Sequence, residues 1–511
     1  MKSRLFKPVT LLMLLAMLFG MVGIGAASAD NALTLSYAVS ITYLNVGTDV
    51  ATLSIDFYAE NSPTPIHYAL NSLNAGAAAS LSVGSVADVT AGFRGSAVMS
   101  STQPLVATVV QYHNNGVGET VKIRMLSNGF GDADGSSTFL LATVQDNNTN
   151  RTDVFSVQNI ESETITATIK MYDATTGLLA ATASYDIPAQ STKYIQMDQN
   201  TQTGLPSGTT KFNGSATITA VMKSDGTTPG RVVVTENDYY TNKNVGASVE
   251  GVPSSKAGMT LYYATALCKN SNMRTYFAVQ NSSLTTATNI TITYYKTDGT
   301  VMATDGPYAI GPGQKHSVDT CTTLPVVNMV NFTGSAKVVS DTTPIVGIGR
   351  AQDGTGGTNS SYVDTYTAFL GESGGYTKLA LPFVRWANST HYDPTTDFGS
   401  WQRTYLAIQN VSGVTGVVDV KYMDKTGAVV GTDVLTIAAG AKGNSNPAKN
   451  AAWLGQNGMN AGEFGYYTDK SFGGGVLIQL DSTSNPAARF IAIARVQNPG
   501  MAEDYNAVSV P

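Results

Sequence analysis

The chain has 511 residues, with 30 Lys+Arg against 36 Asp+Glu and a formal net charge of −6. Only 13% of residues are charged, about half the ~25% usual for soluble domains, and no Lys/Arg cluster is present, which argues against nucleic acid or an anionic membrane surface as a partner. No stretch beyond the first 29 residues approaches the ~20 apolar residues of a spanning helix, so no membrane insertion of the mature chain is expected.

The chain opens with Lys2, Arg4 and Lys7, an apolar run from Val9 to Ile24, and Ala27-Ser28-Ala29 before Asp30. A basic start, an apolar core and a small-residue site are the parts of a signal peptide, here 1–29, cleaved after Ala29. No Cys follows the apolar run directly, which argues against a lipid-anchored start. The mature chain is expected to be secreted.

The first copy of an internal repeat follows. A strand ends at Tyr43-Leu44-Asn45, and Ala51, Leu53, Ile55 and Phe57 then alternate with Thr52, Ser54 and Asp56. Phe93-Arg94-Gly95-Ser96-Ala97 and a strand led by Pro104 complete it. The second copy ends its strand at Val157-Gln158-Asn159, alternates through Ile165, Ala167, Ile169 and Met171, turns at Thr175-Thr176-Gly177, and repeats the phrase as Phe212-Asn213-Gly214-Ser215-Ala216 before Pro229. The third reads Val279-Gln280-Asn281, Thr297-Asp298-Gly299, Phe332-Thr333-Gly334-Ser335-Ala336 and Pro344. The fourth reads Ile408-Gln409-Asn410, Lys425-Thr426-Gly427, Phe472-Gly473-Gly474-Gly475-Val476 and Pro486. The spacings are 119 (212 minus 93), 120 (332 minus 212) and 140 (472 minus 332).

Period-two alternation with β-branched polar residues describes half-buried antiparallel strands, and a period this long describes copies of a whole domain. The expected fold is all-β: four tandem Ig-like antiparallel β-sandwich domains at 30–135, 136–258, 259–374 and 375–511, strung stiffly along short Gly/Ser-rich linkers. Gln-Asn is expected to be structural, the Gln satisfying backbone groups and the Asn permitting the turn. Cys268 and Cys321 are the only cysteines. Within one domain of an exported chain they are expected to form a disulfide, closing a loop of 53 residues (321 minus 268) worth about 4 kcal/mol in the chain-entropy model.

The Arg-Thr pair before hydrophobic-Gln-Asn, the Pro-Gly turn, Phe-x-Gly-Ser-Ala and the Pro-led last strand resemble exported tandem β-sandwich repeat surface proteins of Chloroflexus-like bacteria. The resemblance spans nearly all of the mature chain and implies an extracellular, non-catalytic role. The first copy has Leu44 in place of the Gln, and the fourth has Gly-Gly-Val in place of Gly-Ser-Ala.

Gly371-Glu372-Ser373-Gly374-Gly375 fits Gly-x-Ser-x-Gly, but a strand rather than a helix is expected after it, so it is not a nucleophile elbow. His67, His113, His316 and His391 occupy non-equivalent positions and build no zinc motif. Asp132 and Asp134 in a Gly-Asp-Ala-Asp-Gly run are weak calcium candidates, as is the cluster of His391, Asp393 and Asp397, each short of a full ligand set. The fourth copy carries an insertion, Arg385 to Arg403, with Trp386, Tyr392 and Trp401, rings able to stack on sugars if exposed. The expected function is a non-enzymatic structural or adhesive cell-surface protein without a cofactor, partnered by self-association or cell-envelope polysaccharide. The alternative is a carbohydrate-binding protein acting through the fourth-copy insertion.

Overall fold

The computed structural model describes residues 36–113, 123–241, 245–270, 273–322, 331–353, 366–387, 402–450, 472–498 and 501–511. The first repeat supplies β1 (Ala38–Asn45), β2 (Ala51–Ala59), β3 (Pro65–Leu73), β4 (Ala78–Ser82), β5 (Gly95–Ser101), β6 (Leu105–His113) and β7 (Ile123–Asn128). The second supplies β8 (Thr138–Asp146), β9 (Arg151–Asn159), β10 (Ile165–Asp173), β11 (Leu179–Ile187), β12 (Thr192–Gln196), β13 (Phe212–Met222), β14 (Val232–Tyr240), β15 (Val245–Glu250) and β16 (Val252–Pro253).

From the third come β17 (Thr260–Asn270), β18 (Met273–Asn281), β19 (Thr288–Lys296), β20 (Val301–Ile310), β21 (Lys315–Asp319), β22 (Phe332–Ser340), β23 (Ile345–Asp353) and β24 (Tyr366–Leu370). The fourth gives β25 (Lys378–Trp386), β26 (Arg403–Asn410), β27 (Gly416–Met423), β28 (Val429–Ile437), β29 (Lys442–Ser445), β30 (Phe472–Leu480), β31 (Phe490–Asn498), β32 (Met501–Asn506) and β33 (Val508–Ser509). The fold is all-β and sandwich-like. Its one α-helix among the described residues is the four-residue turn Asn200–Thr203.

In the second repeat one layer runs β11-β10-β13-β8-β16 and the other β12-β9-β14-β15, all antiparallel. The alternating residues Ile165, Ala167, Ile169 and Met171 all point between the layers and are fully buried. The repeated Asn locks the layers. Asn159 Nδ2 donates to the carbonyls of Glu163 (2.7 Å) and Ile187 (3.0 Å), and its Oδ1 accepts the Glu161 N–H. Asn45, Asn281 and Asn410 make the equivalent clamps. The disulfide Cys268–Cys321 is present, with Cα atoms 5.2 Å apart.

The repeats do not form a string. They close into a ring, because each presents a hairpin tip that docks on the next. The Asn61 N–H reaches the Thr192 carbonyl from the first repeat to the second, and Gln314 Nε2 reaches the Ala174 carbonyl between second and third. Lys442 N–H bonds the Thr297 carbonyl between third and fourth, and the fourth-repeat turn at Gly427 lies against Ala75 and Ala77 of the first. One strand near the end of each repeat, β7, β15, β24 or β32, stands at the centre, each packed on its two neighbours. Head-to-tail contacts give a ring when the rotation between copies closes and a filament when it does not. Within one chain, the fourth rotation returns to the first repeat.

Candidate functional site

The repeated phrases meet at the seams of this ring. The residue two before each β4-type strand has positive φ: Gly76 (73°), Gln190 (58°), Gly313 (69°) and Gly440 (71°). The carbonyls of Gln190 and Gly313 face the preceding repeat. Ser215 Oγ of Phe-x-Gly-Ser-Ala donates to the Gly313 carbonyl at 2.6 Å, and Gln280 Nε2 donates to the same oxygen at 3.3 Å and to the Ala216 carbonyl at 3.2 Å. Ser96 Oγ and Gln158 Nε2 both donate to the Gln190 carbonyl. Gln409 Nε2 bonds Ser335 Oγ directly, 3.0 Å away. Glycine is needed at 313, because its left-handed backbone disfavours a side chain and a Cβ would sit 3.0 Å from the Tyr172 ring. The Gln of one repeat and the Ser of its predecessor therefore form one motif across two repeats.

The hub is charged. Arg124 of β7 and Glu503 of β32 form a bidentate pair, with Nη2 to Oε2 at 2.9 Å and Nε to Oε1 as the second contact. Both side chains are almost wholly buried, at 2% and 3% exposure. Glu250 Oε1 accepts the Asn128 N–H, Asn128 Nδ2 donates to the Asn506 carbonyl, and Asn506 bonds Leu370 through both its amide atoms. These four residues occupy equivalent ends of the four central strands and link them in the order β15, β7, β32, β24.

Between the second and third repeats lies a sealed ionic cluster. Asp153 of β9, with Glu236 and Asp238 of β14, brings three carboxylates within 4.8 Å of one another. Arg350 of β23 contacts Asp238 and lies 3.5 Å from Glu236, and the Tyr366 hydroxyl donates to Asp238. Lys315 Nζ donates to Thr143 Oγ1 at 2.6 Å across the same seam. Burial, then Asp238 and Glu236, push Asp153 well above the usual carboxylate range. Burial, partly countered by Arg350, pushes Glu236 up to about 7. Burial and Arg350 bring Lys315 down to about 7. The Arg350 guanidinium faces these carboxylates and supplies the positive charge that a metal ion would bring there.

Other candidates fall elsewhere. Asp132 pairs with Arg231 at 3.0 Å, and Asp134 accepts from Lys256 at 2.6 Å, so lysine and arginine already neutralise both. Trp386 is 7% exposed in the fourth-repeat core, its ring taken by Arg403 at 4.8 Å and by Tyr405 at 5.4 Å. Tyr392, Trp401, His391, Asp393 and Asp397 lie outside the described residues. Glu372 of Gly-x-Ser-x-Gly pairs with Tyr262 and accepts from Asn506, and strand β25 follows it. His67 bonds Asp56, His113 bonds the Ser36 carbonyl, and His316 stacks on Tyr308. Sequence reasoning missed Asp153, Glu236, Asp238, Lys315 and Arg350. The one signal was for Glu236 and Asp238, charges in a strand that opens Val232-Val233-Val234. No protein-family model matches the chain, and no curated protein matches it in sequence.

Proposed function

We propose that the protein is an exported, non-catalytic structural or adhesive surface component, its leader removed after Ala29 and its four repeats each an Ig-like β-sandwich at 30–135, 136–258, 259–374 and 375–511. It is similar in this reading to the exported tandem-repeat surface proteins of Chloroflexus-like bacteria, retained outside the cell by self-association or by envelope polysaccharide. One observation carries the reading: the buried charged groups of the hub and of the Asp153 cluster lie at seams, where they hold repeat to repeat and are closed to a substrate. A ring is compact, which favours a contact surface over a spacer that gives reach. Burial of Trp386 removes one of three rings from the carbohydrate alternative. Fractionation of native cells tests the proposal. Recovery in the envelope layer, released by salt or mild denaturant, is expected. A freely soluble monomer in the medium with co-purifying hydrolytic activity would overturn it.

A further inference from the structure

The Gln and Ser that join the seams are the same at three of them, so they do not tell one repeat from another. A different position does. The ladders that start at the clamping Asn, with Asn45↔Leu105, Asn159↔Val232, Asn281↔Ile345 and Asn410↔Phe490, bring Val110, Asn237, Arg350 and Arg495 to one register position. Asn237, Arg350 and Arg495 each reach a side chain of the preceding repeat. Val110 lies in the core of the fourth repeat, which precedes the first around the ring. At the first two seams the residue met is Gln111 or Asp238, next along the preceding repeat's own strand. Its equivalents at the other two are Ala351 and Val496, both fully buried.

The four seams use four chemistries at this position. At the first, Asn237 and Gln111 exchange two amide hydrogen bonds of 3.2 and 3.3 Å. At the second, Arg350 contacts Asp238 and lies 3.5 Å from Glu236. At the third, Arg495 is held by Asp504 of its own repeat, Nε to Oδ1 at 2.8 Å and Nη2 to Oδ2 at 2.6 Å, and its Nη1 meets Met273 Sδ at 3.4 Å. At the fourth, Val110 and Val496 share one apolar cluster. The residue across the ladder matches each time: Leu126 opposite Val110, Ser248 opposite Asn237, Ala368 opposite Arg350 and Asp504 opposite Arg495. Arg350 thus takes its counter-charge from the second repeat, whereas Arg495 brings its own and needs none from Ala351.

Exchanged partners do not fit. Val110 or Asn237 set on the second repeat would leave Asp153, Glu236 and Asp238 buried without their guanidinium. Arg350 set on the third or fourth repeat would bury its charge near Ala351 or Val496, with only Ala368 across the ladder. Arg495 set on the second repeat would bring Asp504 to three carboxylates already within 4.8 Å of one another. A buried charge without its partner is strongly destabilising.

We propose that this position selects which repeat docks on which, so that the ring assembles in chain order and repeats of separate chains do not exchange. Swapping and misassembly are the characteristic failures of repeat proteins. The covalent links raise the local concentration of the correct neighbour, but a second chain offers the same Gln, Ser and hairpin tip. An unpaired buried charge on the wrong partner removes that competitor. The proposal stands on the seam geometry and is independent of the export reading.

The test refolds the whole protein from urea, reading the urea midpoint and, by light scattering, the oligomer content. Asn237→Arg gives the second repeat the residue of the third. It should lower the midpoint and yield about tenfold more oligomer than wild type, because the altered second repeat now suits Asp238 of another chain. Adding Gln111→Asp supplies a carboxylate at its own seam and should restore both the midpoint and the monomer. Asn237→Ala removes the amide pair without carrying a charge, and should weaken the seam without forming oligomer. Equal oligomer from Asn237→Ala and Asn237→Arg overturns the proposal, since loss of any seam contact would then suffice. So does an Asn237→Arg protein that stays monomeric, or a double variant no better than the single. Should Asn237→Arg fail to refold at all, refolding of the double variant as a monomer supports the proposal and its failure overturns it.

Discussion

Leu44 of the first repeat packs against Gly475 of the fourth, so closely that a Cβ at 475 would lie 2.9 Å from Leu44 Cδ1. Both are positions at which the repeated phrases break. Leu44 stands where Gln158, Gln280 and Gln409 stand, and Gly475 where Ser96, Ser215 and Ser335 stand. At three seams a Gln and a Ser are joined by a hydrogen bond or share a carbonyl acceptor; at the fourth an apolar side chain occupies the space of a missing one. The substitutions compensate each other across a contact 431 residues long (475 minus 44).

Gly475→Ser alone should therefore destabilise the protein by about 1–3 kcal/mol, since it overpacks the seam and buries an unpaired hydroxyl. Adding Leu44→Gln should recover much of the loss. A double-mutant cycle on denaturant midpoints reads the coupling, expected between about 0.5 and 3 kcal/mol. Additive effects would show that the two residues do not share a seam.

The reverse exchange belongs at the third seam. Gln409→Leu leaves Ser335 Oγ without its Gln409 partner in a fully buried place, a loss of about 1–3 kcal/mol. Gln409→Leu with Ser335→Gly reproduces the apolar pair and should cost less than the single change. If the double variant is the weaker, the seams are not interchangeable.

A third test concerns the disulfide. Cys268 pairs opposite Phe332 as Asp146 pairs opposite Phe212, and the Thr320 and Met197 N–H groups make equivalent bonds to Thr275 and Asp153. Asp146 and Asp198 thus hold the positions of Cys268 and Cys321. Burial, then Asp198, raises the Asp146 carboxyl. Asp146→Cys with Asp198→Cys should oxidise to a second bridge closing 52 residues (198 minus 146), adding up to about 4 kcal/mol in the chain-entropy model. Free thiols persisting in the oxidised double variant would refute the equivalence.

Much of the fold was legible because its signals are local. Alternation at Ile165–Met171 and the turn at Gly177 concern residues that meet within one repeat, whereas Asn159, read as permitting a turn, clamps the two layers instead. The ring was not legible, because a seam joins positions whose sequence separation carries no period of its own. Gln280 looked like a strand-end residue serving its own backbone, yet its amide bonds a carbonyl of the preceding repeat. Asp153, Glu236 and Arg350 are unremarkable one at a time and become a cluster only when the second and third repeats dock. Their burial could be read only once the seam was known.

The hub makes stability pH-dependent in an unusual direction, and Glu250 isolates the effect. Burial, only partly offset by the Asn128 N–H, pushes its carboxyl up to about 7, against about 4.3 for an exposed glutamate. A carboxyl with a raised folded value binds its proton more tightly folded than unfolded. Its contribution is therefore fully present below the unfolded value and is lost as pH rises through about 7. Glu503 shifts the same way, burial outweighing Arg124, whereas Lys315, brought down by burial, acts in the opposite sense at higher pH. Glu250→Gln keeps the acceptor for Asn128 and removes the titration. Wild type and variant should have similar urea midpoints near pH 4.5, and the variant should become the more stable as pH rises to 8, by on the order of 2–3 kcal/mol. A difference that stays constant across that range would show that Glu250 is ionised in the folded ring at every pH tested.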